Sequence, residues 1–216
     1  MTLILTAICK DGMYVCADKR YKITNSDGSV RFEDTHNKIY RFQKIPYTIV
    51  NHGINKINNK DWRVFCSEYE ASDRWVGKGH FQIVNDFKEF IEKSVEIELS
   101  RYKDGRKHAI GFLLGGKTPS ENKYKVHELH WLLESGEVKF SILKHEFFII
   151  TGDSNVCLNT YLSDHPELLT DKYWKGFKLD KTKNILIKLF NLAVEEKKKL
   201  NNDEFSDYYD IERIDG

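Results

Sequence analysis

Thr2 stands directly behind the initiator methionine. Its side chain is small enough to permit methionine removal, which predicts a mature chain that begins with threonine. A free amino-terminal threonine carries a hydroxyl and an amine on one residue. The amine can take the hydroxyl proton, so a single residue serves as nucleophile and general base. An α-amine has an ordinary pKa of about 7.7–8.0. A nearby cation lowers that value and enlarges the free-base fraction at neutral pH.

Other patterns invite chemistry and are better read otherwise. Residues 111–118, GFLLGGKT, satisfy the phosphate-loop spacing G-x-x-x-x-G-K-[ST]. That loop needs a strand before the first glycine and a helix opening at Lys117-Thr118. Here Phe112, Leu113 and Leu114 read as the strand itself, and Pro119 begins a polar turn. His127 and His130 lie three apart; on a strand they point to opposite faces, and the H-E-x-x-H spacing is not met, so no metal site is expected. His36, His52 and His145 are isolated, with His52 able to line a pocket. Cys9, Cys16, Cys66 and Cys157 form no C-x-x-C pair and read as reduced thiols.

The elements that must position Thr2 begin at once. Residues 3–10 and 13–18 are β-prone and flank Asp11-Gly12, which predicts a hairpin whose turn residues take positive φ. A second turn is expected at Ser26-Asp27-Gly28. Residues 38–42 and 47–51 read as a hairpin around Pro46, ended by Gly53. Residues 55–73 read as weakly helical. Over 81–102, Ile83, Phe87, Ile91, Val95 and Ile97 recur near helical spacing with charges between them, predicting an amphipathic helix. Strands return at 109–115, 124–133 and 138–143, with Ser135-Gly136 as a tight turn, and 145–152 is a further apolar run. Residues 154–169 and 182–200 read as helices and 208–214 as a last strand. Blocks of strands separated by helices predict layered α+β architecture, not an alternating parallel α/β fold. With no repeat or linker, 1–216 is expected to be a single domain.

Thr2, Gly12, Asp18-Lys19-Arg20 and Lys38 together resemble the opening of the proteasome β-type subunits. They are similar also to the peptidase subunit of the bacterial ATP-dependent two-component protease, another N-terminal-nucleophile (Ntn) hydrolase. Those proteins begin with Thr, a strand, a Gly turn and a strand ending in Asp-x-Arg, and a Lys then opens the next apolar strand. Lys38 opens KIYRF here, after a longer connection. The resemblance implies a four-layer αββα sandwich, an α+β fold, in which Asp18 pairs with Lys38 beneath Thr2. It implies that the Gly53 backbone N–H, in Asn51-His52-Gly53, serves the oxyanion hole. Asp203 and Ser206 match an Asp-x-x-Ser that holds the amino terminus. Gly152-Asp153-Ser154 departs from the family's Gly-Ser-Gly: Ser154 or Asp153 takes the place of the serine beside the amine, and an aspartate there would raise the amine's pKa. Asp207 and Tyr208 replace the family's following Gly pair.

The resemblance further implies peptide-bond hydrolysis through an acyl-enzyme on Thr2, with no metal or organic cofactor. Its expected partners are a peptide or protein substrate, further copies in a homo-oligomeric ring and, as in some members, an ATP-dependent unfoldase. Three alternatives stand beside it: a non-catalytic ring or scaffold subunit of the same fold, an Ntn amidase or acylase acting on a small amide, and a nucleotide hydrolase built on Lys117.

Composition fits this frame. Hydrophobic residues make up 40% of the chain and aromatic ones 13%, as in a folded globular protein. A net charge of +1 recommends neither nucleic acid nor an anionic membrane as partner. Lys197, Lys198 and Lys199 read as a solvated helix end, where cations suit the macrodipole. The apolar run from Leu3 to Ile8 is cut by Lys10 and Asp11, so no signal peptide is expected. No run approaches the ~18 apolar residues of a membrane span. A cytoplasmic location is the expectation.

Overall fold

A computed structural model describes residues 2–24, 29–151, 155–201, 203 and 205–215. The chain opens with strands β1 (Ile4–Cys9), β2 (Gly12–Asp18), β3 (Tyr21–Thr24), β4 (Val30–Glu33), β5 (Ile39–Arg41) and β6 (Tyr47–Gly53). Short strands β7 (Lys56–Ile57) and β8 (Lys60–Asp61) lead into helices α1 (Trp62–Ala71) and α2 (His80–Leu99). Strands β9 (His108–Gly116), β10 (Lys125–Glu134), β11 (Glu137–His145) and β12 (Phe148–Thr151) follow. Helix α3 (Asn155–Asp164), a 3₁₀ turn (Pro166–Leu169), α4 (Asp171–Lys175), α5 (Leu179–Lys199) and β13 (Tyr209–Ile214) complete the chain. Contacts group these elements into two compact units, Met1–Ile39 with Glu146–Asp215, and Tyr40–His145.

The first unit is built on an antiparallel sheet of order β12-β1-β2-β13. Alternation along β1 turns Leu3, Leu5, Ala7 and Cys9 to one face, where they join Leu158 and Leu162 of α3, Trp174 of α4 and Leu186, Leu189, Phe190 and Ala193 of α5 in one core. The leucine and phenylalanine side chains among them contribute about 1.5–3 kcal/mol each on full burial. The β1–β2 hairpin pairs Cys9 with Gly12 and Ile4 with Ala17. The ladder continues one step further, with Asp18 N donating to Leu3 O at 3.0 Å. This register brings residue 2 beside the end of β2.

The hairpin differs from expectation at its turn. The turn residues are Lys10 and Asp11, and neither they nor Gly12 takes positive φ. Gly12 is required for space: a Cβ there would lie 2.7 Å from Ile214 O and 3.1 Å from the Leu179 side chain. Asp11 instead accepts from Leu179 N at 3.2 Å, at the start of α5. The turn expected at Ser26-Asp27-Gly28 lies outside the described residues, though its flanking strands β3 and β4 pair antiparallel.

The second unit carries a sheet of order β11-β10-β9-β6-β5. Helices α1 and α2 bury Trp62, Phe65, Tyr69, Ile83, Phe87 and Ile91 in a core with Tyr47, Ile49, Phe112, Leu114, Leu129 and Trp131. Asp61 caps α1 through a side-chain bond from Arg63 N at 2.9 Å. The Ser135-Gly136 turn forms as expected, with φ of 54° and 83°, and sets Glu134 opposite Glu137. GFLLGG is the C-terminal part of strand β9, so the phosphate-loop spacing is a coincidence of strand sequence. The stretch 55–73 is helical only from Trp62; before it, Asn58 and Asn59 at φ 49° and 64° turn β7 into β8. The predicted helix 154–169 stops at Asp164 because His165 precedes Pro166 and is excluded from the α region.

Candidate active site

The site is built in the first unit from the start of β1, the end of β2, the segment before β5 and the loop between α5 and β13. Thr2 is only 4% exposed and Lys38 1%. Lys38 Nζ donates to Thr2 Oγ1 at 3.1 Å and to Asp18 Oδ1 at 2.8 Å. The two acidic oxygens of Asp18 are held further by backbone donors. Leu3 N reaches Oδ1 at 2.9 Å; Arg20 N and Ser206 N reach Oδ2 at 2.9 and 3.1 Å. A buried carboxylate with a cation and several amide donors is a satisfied charge, held where a lone one would be expelled.

Lys38 is delivered by its own segment. Arg20 grips Asp34 through two bonds of 2.8 Å, His36 N donates to Lys19 O at 3.3 Å, and the His36 ring stacks on Tyr21 at 4.0 Å. The Arg20 guanidinium holds the Asp34 carboxyl below its ordinary pKa, and Asp34 in turn raises that of Arg20. Burial pushes the Lys38 ammonium below its ordinary pKa, and the Asp18 carboxylate opposes the shift without cancelling it. Lys38 Nζ is thus in contact with a hydroxyl and a carboxylate out of bulk water, where electrostatic fields act at low dielectric.

Ser206 is fully buried, and its Oγ accepts from Tyr208 N at 2.9 Å while its own N–H serves Asp18. Asp203 accepts a bond from Arg20 through its carboxylate, and its backbone oxygen accepts from the same guanidinium at 2.8 Å. Its side chain is 71% exposed, an anchor for the loop beside Arg20. Ser154, with Gly152 and Asp153, lies outside the described residues. Gly53 belongs to the second unit, where it ends β6 at φ +81°; a Cβ there would lie 2.2 Å from Ala109 O, so only glycine fits. His127 and His130 sit on opposite faces of β10: His127 Nδ1 meets His80 Nε2 at 2.9 Å, whereas His130 stacks on His52.

Three solved structures share this fold. The chain matches Anbu (ancestral beta-subunit) from Yersinia bercovieri with a TM-score of 0.60 at 11% identity, covering 99% of this chain and 81% of that one. The Pseudomonas aeruginosa structure, described as a helical assembly of the Anbu complex, aligns with a TM-score of 0.67 at 10% identity over 99% and 81% of the two chains. An Anbu (Gly-1) mutant from Hyphomicrobium sp. strain MC1 aligns with a TM-score of 0.57 at 11% identity over 100% and 88%. The chain has the Anbu fold. The α+β class expected of a proteasome-like Ntn hydrolase is therefore the class observed, at only 10–11% sequence identity to these Anbu chains. No family model and no curated protein sequence matches the chain. Among the described residues no helix is long and apolar enough to cross a membrane.

Two residues escaped the sequence reading. Arg20 was visible only as the end of an Asp-x-Arg pattern, and its backbone N–H proves to be an Asp18 donor. Lys197 corrects the solvated-helix-end reading: Lys198 and Lys199 are exposed, but Lys197 is 3% exposed. The signal lay in the phase of α5, since Leu186, Leu189, Phe190, Ala193 and Val194 form an apolar stripe whose next position is Lys197.

Proposed function

We propose that this chain is a threonine-type Ntn peptidase whose nucleophile is Thr2 after removal of Met1. The observation that carries the reading is the buried contact of Lys38 Nζ with both Thr2 Oγ1, at 3.1 Å, and Asp18 Oδ1, at 2.8 Å. With Met1 attached, the nitrogen of Thr2 is an amide and cannot serve as a base. Once it is freed, the amine takes the hydroxyl proton as Oγ1 attacks the carbonyl carbon of the scissile peptide. The same proton passes to the departing amine nitrogen, leaving an ester on Thr2, and water then hydrolyses that ester with the amine again as base. Lys38 stabilises negative charge as it develops on Oγ1, and Asp18 opposes the pull of burial on the Lys38 ammonium. In this reading Ser154, Asp203 and Ser206 fix the amino terminus and its surroundings. No metal or organic cofactor takes part.

The Anbu likeness supports the peptidase class at the level of fold. The description of the Pseudomonas aeruginosa protein as a helical assembly supports a multi-copy state for this chain. A peptide or protein is the substrate, an ATP-dependent unfoldase a candidate partner and the cytoplasm the place of action. The test is covalent. Treatment with a β-lactone, followed by peptide mass mapping, is expected to place one acyl group on Thr2 in a chain lacking Met1, and none on a Thr2→Ala variant. Retained Met1 with no adduct on Thr2 would overturn the proposal.

A further inference from the structure

A lysine ammonium inside a protein must find compensating partners or be expelled. Lys197, on the buried face of α5, has such partners, and they fall on one short loop. Its Nζ donates to Phe205 O at 2.5 Å, pairs with Asp207 Oδ1 at 2.6 Å and stands 4.0 Å from Asp203 Oδ1. It also lies 4.9 Å from the centre of the Phe205 ring. Burial would raise the Asp207 carboxyl, but hydrogen bonds from Lys197 and Lys198 outweigh it and hold the group below its ordinary pKa.

Residues 205 and 207 flank Ser206, whose N–H donates to Asp18 Oδ2 at 3.1 Å. The Ser206 Oγ bond from Tyr208 N, and the bond from Lys19 N to Tyr208 O at 3.1 Å, close the other side of the loop onto the end of β2. A continuous set of contacts therefore runs from Lys197 through the backbone around Ser206 to Asp18, Lys38 and Thr2. We propose that Lys197 is a positioning residue that holds the Ser206 amide on Asp18 and so sets the Asp18–Lys38 pair for work on Thr2. It brings a buried cation to a loop whose carboxylates Asp203 and Asp207 are also met by Arg20 and Lys198. The proposal rests on the Thr2 reading for its catalytic consequence and on contacts alone for its structural one.

The experiment uses the full chain with Lys197→Met and Lys197→Arg. Two readouts are taken, backbone amide exchange by NMR and the rate of Thr2 acylation by a β-lactone at saturating and sub-saturating concentrations. In Lys197→Met, exchange at Ser206 is expected to accelerate about tenfold or more while the β1–β2 ladder amides keep their protection. The maximal acylation rate is expected to fall about tenfold, the scale of one lost hydrogen bond, with the half-saturating concentration unchanged. Lys197→Arg, which keeps the cation, is expected to recover most of both. Unchanged Ser206 protection and acylation in Lys197→Met would overturn the proposal. So would a uniform rise in exchange across the first unit, which marks a merely structural lysine. If the wild-type protein is not acylated at all, the Thr2 reading fails, and the exchange at Ser206 alone decides whether Lys197 holds this loop on Asp18.

Discussion

Replacing Lys38 by methionine keeps the length and apolar stem of the side chain and removes its charge. Two consequences follow from separate contacts. The first concerns rate. Lys38 Nζ is 3.1 Å from Thr2 Oγ1. At an effective dielectric of about 20, a full negative charge on that oxygen would gain about 5 kcal/mol from the ammonium. A transition state with about half the charge developed gains about 2.5 kcal/mol, so the variant should lose roughly a hundredfold in acylation rate. The second concerns stability. Asp18 keeps its bonds from Leu3, Arg20 and Ser206 but loses its cation while remaining buried. Stranding one member of a buried pair costs about 3–5 kcal/mol, which for a chain of this size lowers Tm by about 10 °C. The double variant Asp18→Asn/Lys38→Met carries no stranded charge and should regain part of the lost stability while its acylation stays slow. Acylation by a β-lactone, followed by intact mass, reads the rate, and thermal unfolding by circular dichroism reads the fold. A folded Lys38→Met protein acylated within threefold of wild type would refute the reasoning.

Other consequences are open to simpler measurements. Gly12→Ala would place a methyl group 2.7 Å from Ile214 O; overpacking of this kind should cost about 1–3 kcal/mol in a denaturant titration. Ser206→Ala removes the acceptor of Tyr208 N and should lower stability by about 1 kcal/mol, with a measurable rise in exchange of the Tyr208 amide. Burial, aided by His127, pushes His80 down to about 3. Its folded value thus lies below its unfolded one, the unfolded chain binds the extra proton, and stability present above about pH 6.5 is lost as pH falls towards 3, by up to about 1.4 kcal/mol per pH unit. Burial lowers His127 and His130 in the same direction. A His80→Gln variant should show a shallower decline in unfolding free energy between pH 6.5 and 5; an unchanged slope would remove His80 from the explanation.

What could be read from the chain before folding was local. The Ser135-Gly136 pair specifies its own backbone angles, and the apolar period over Ile83, Phe87, Ile91 and Val95 specifies a helix. Both were legible without knowing any partner. The Asp11-Gly12 pair was misread because the glycine serves a tertiary demand, the closeness of Ile214 and Leu179, which no short window contains. Helix α4 is too short, at Asp171–Lys175, to display a period, and its burial rests on Trp174. At the site, Asp18 and Lys38 could be paired in advance only through the resemblance to proteasome subunits, because 20 residues separate them and nothing local forces their meeting. Lys197 was hidden by its type: a lysine in a basic run suggests solvent, and only its position on the α5 stripe argues for the interior.

The proposed mechanism needs one terminal residue to offer both a free amine and a hydroxyl beside Lys38. A peptide epoxyketone measures this directly, because ring closure needs both atoms of an amino-terminal amino alcohol. Mass mapping of the treated protein is expected to show a single adduct on an amino-terminal peptide that begins at Thr2, with Oγ1 and the α-nitrogen both bonded to the inhibitor. A protein that keeps Met1, or that takes up the inhibitor elsewhere and leaves Thr2 unmodified, would contradict it.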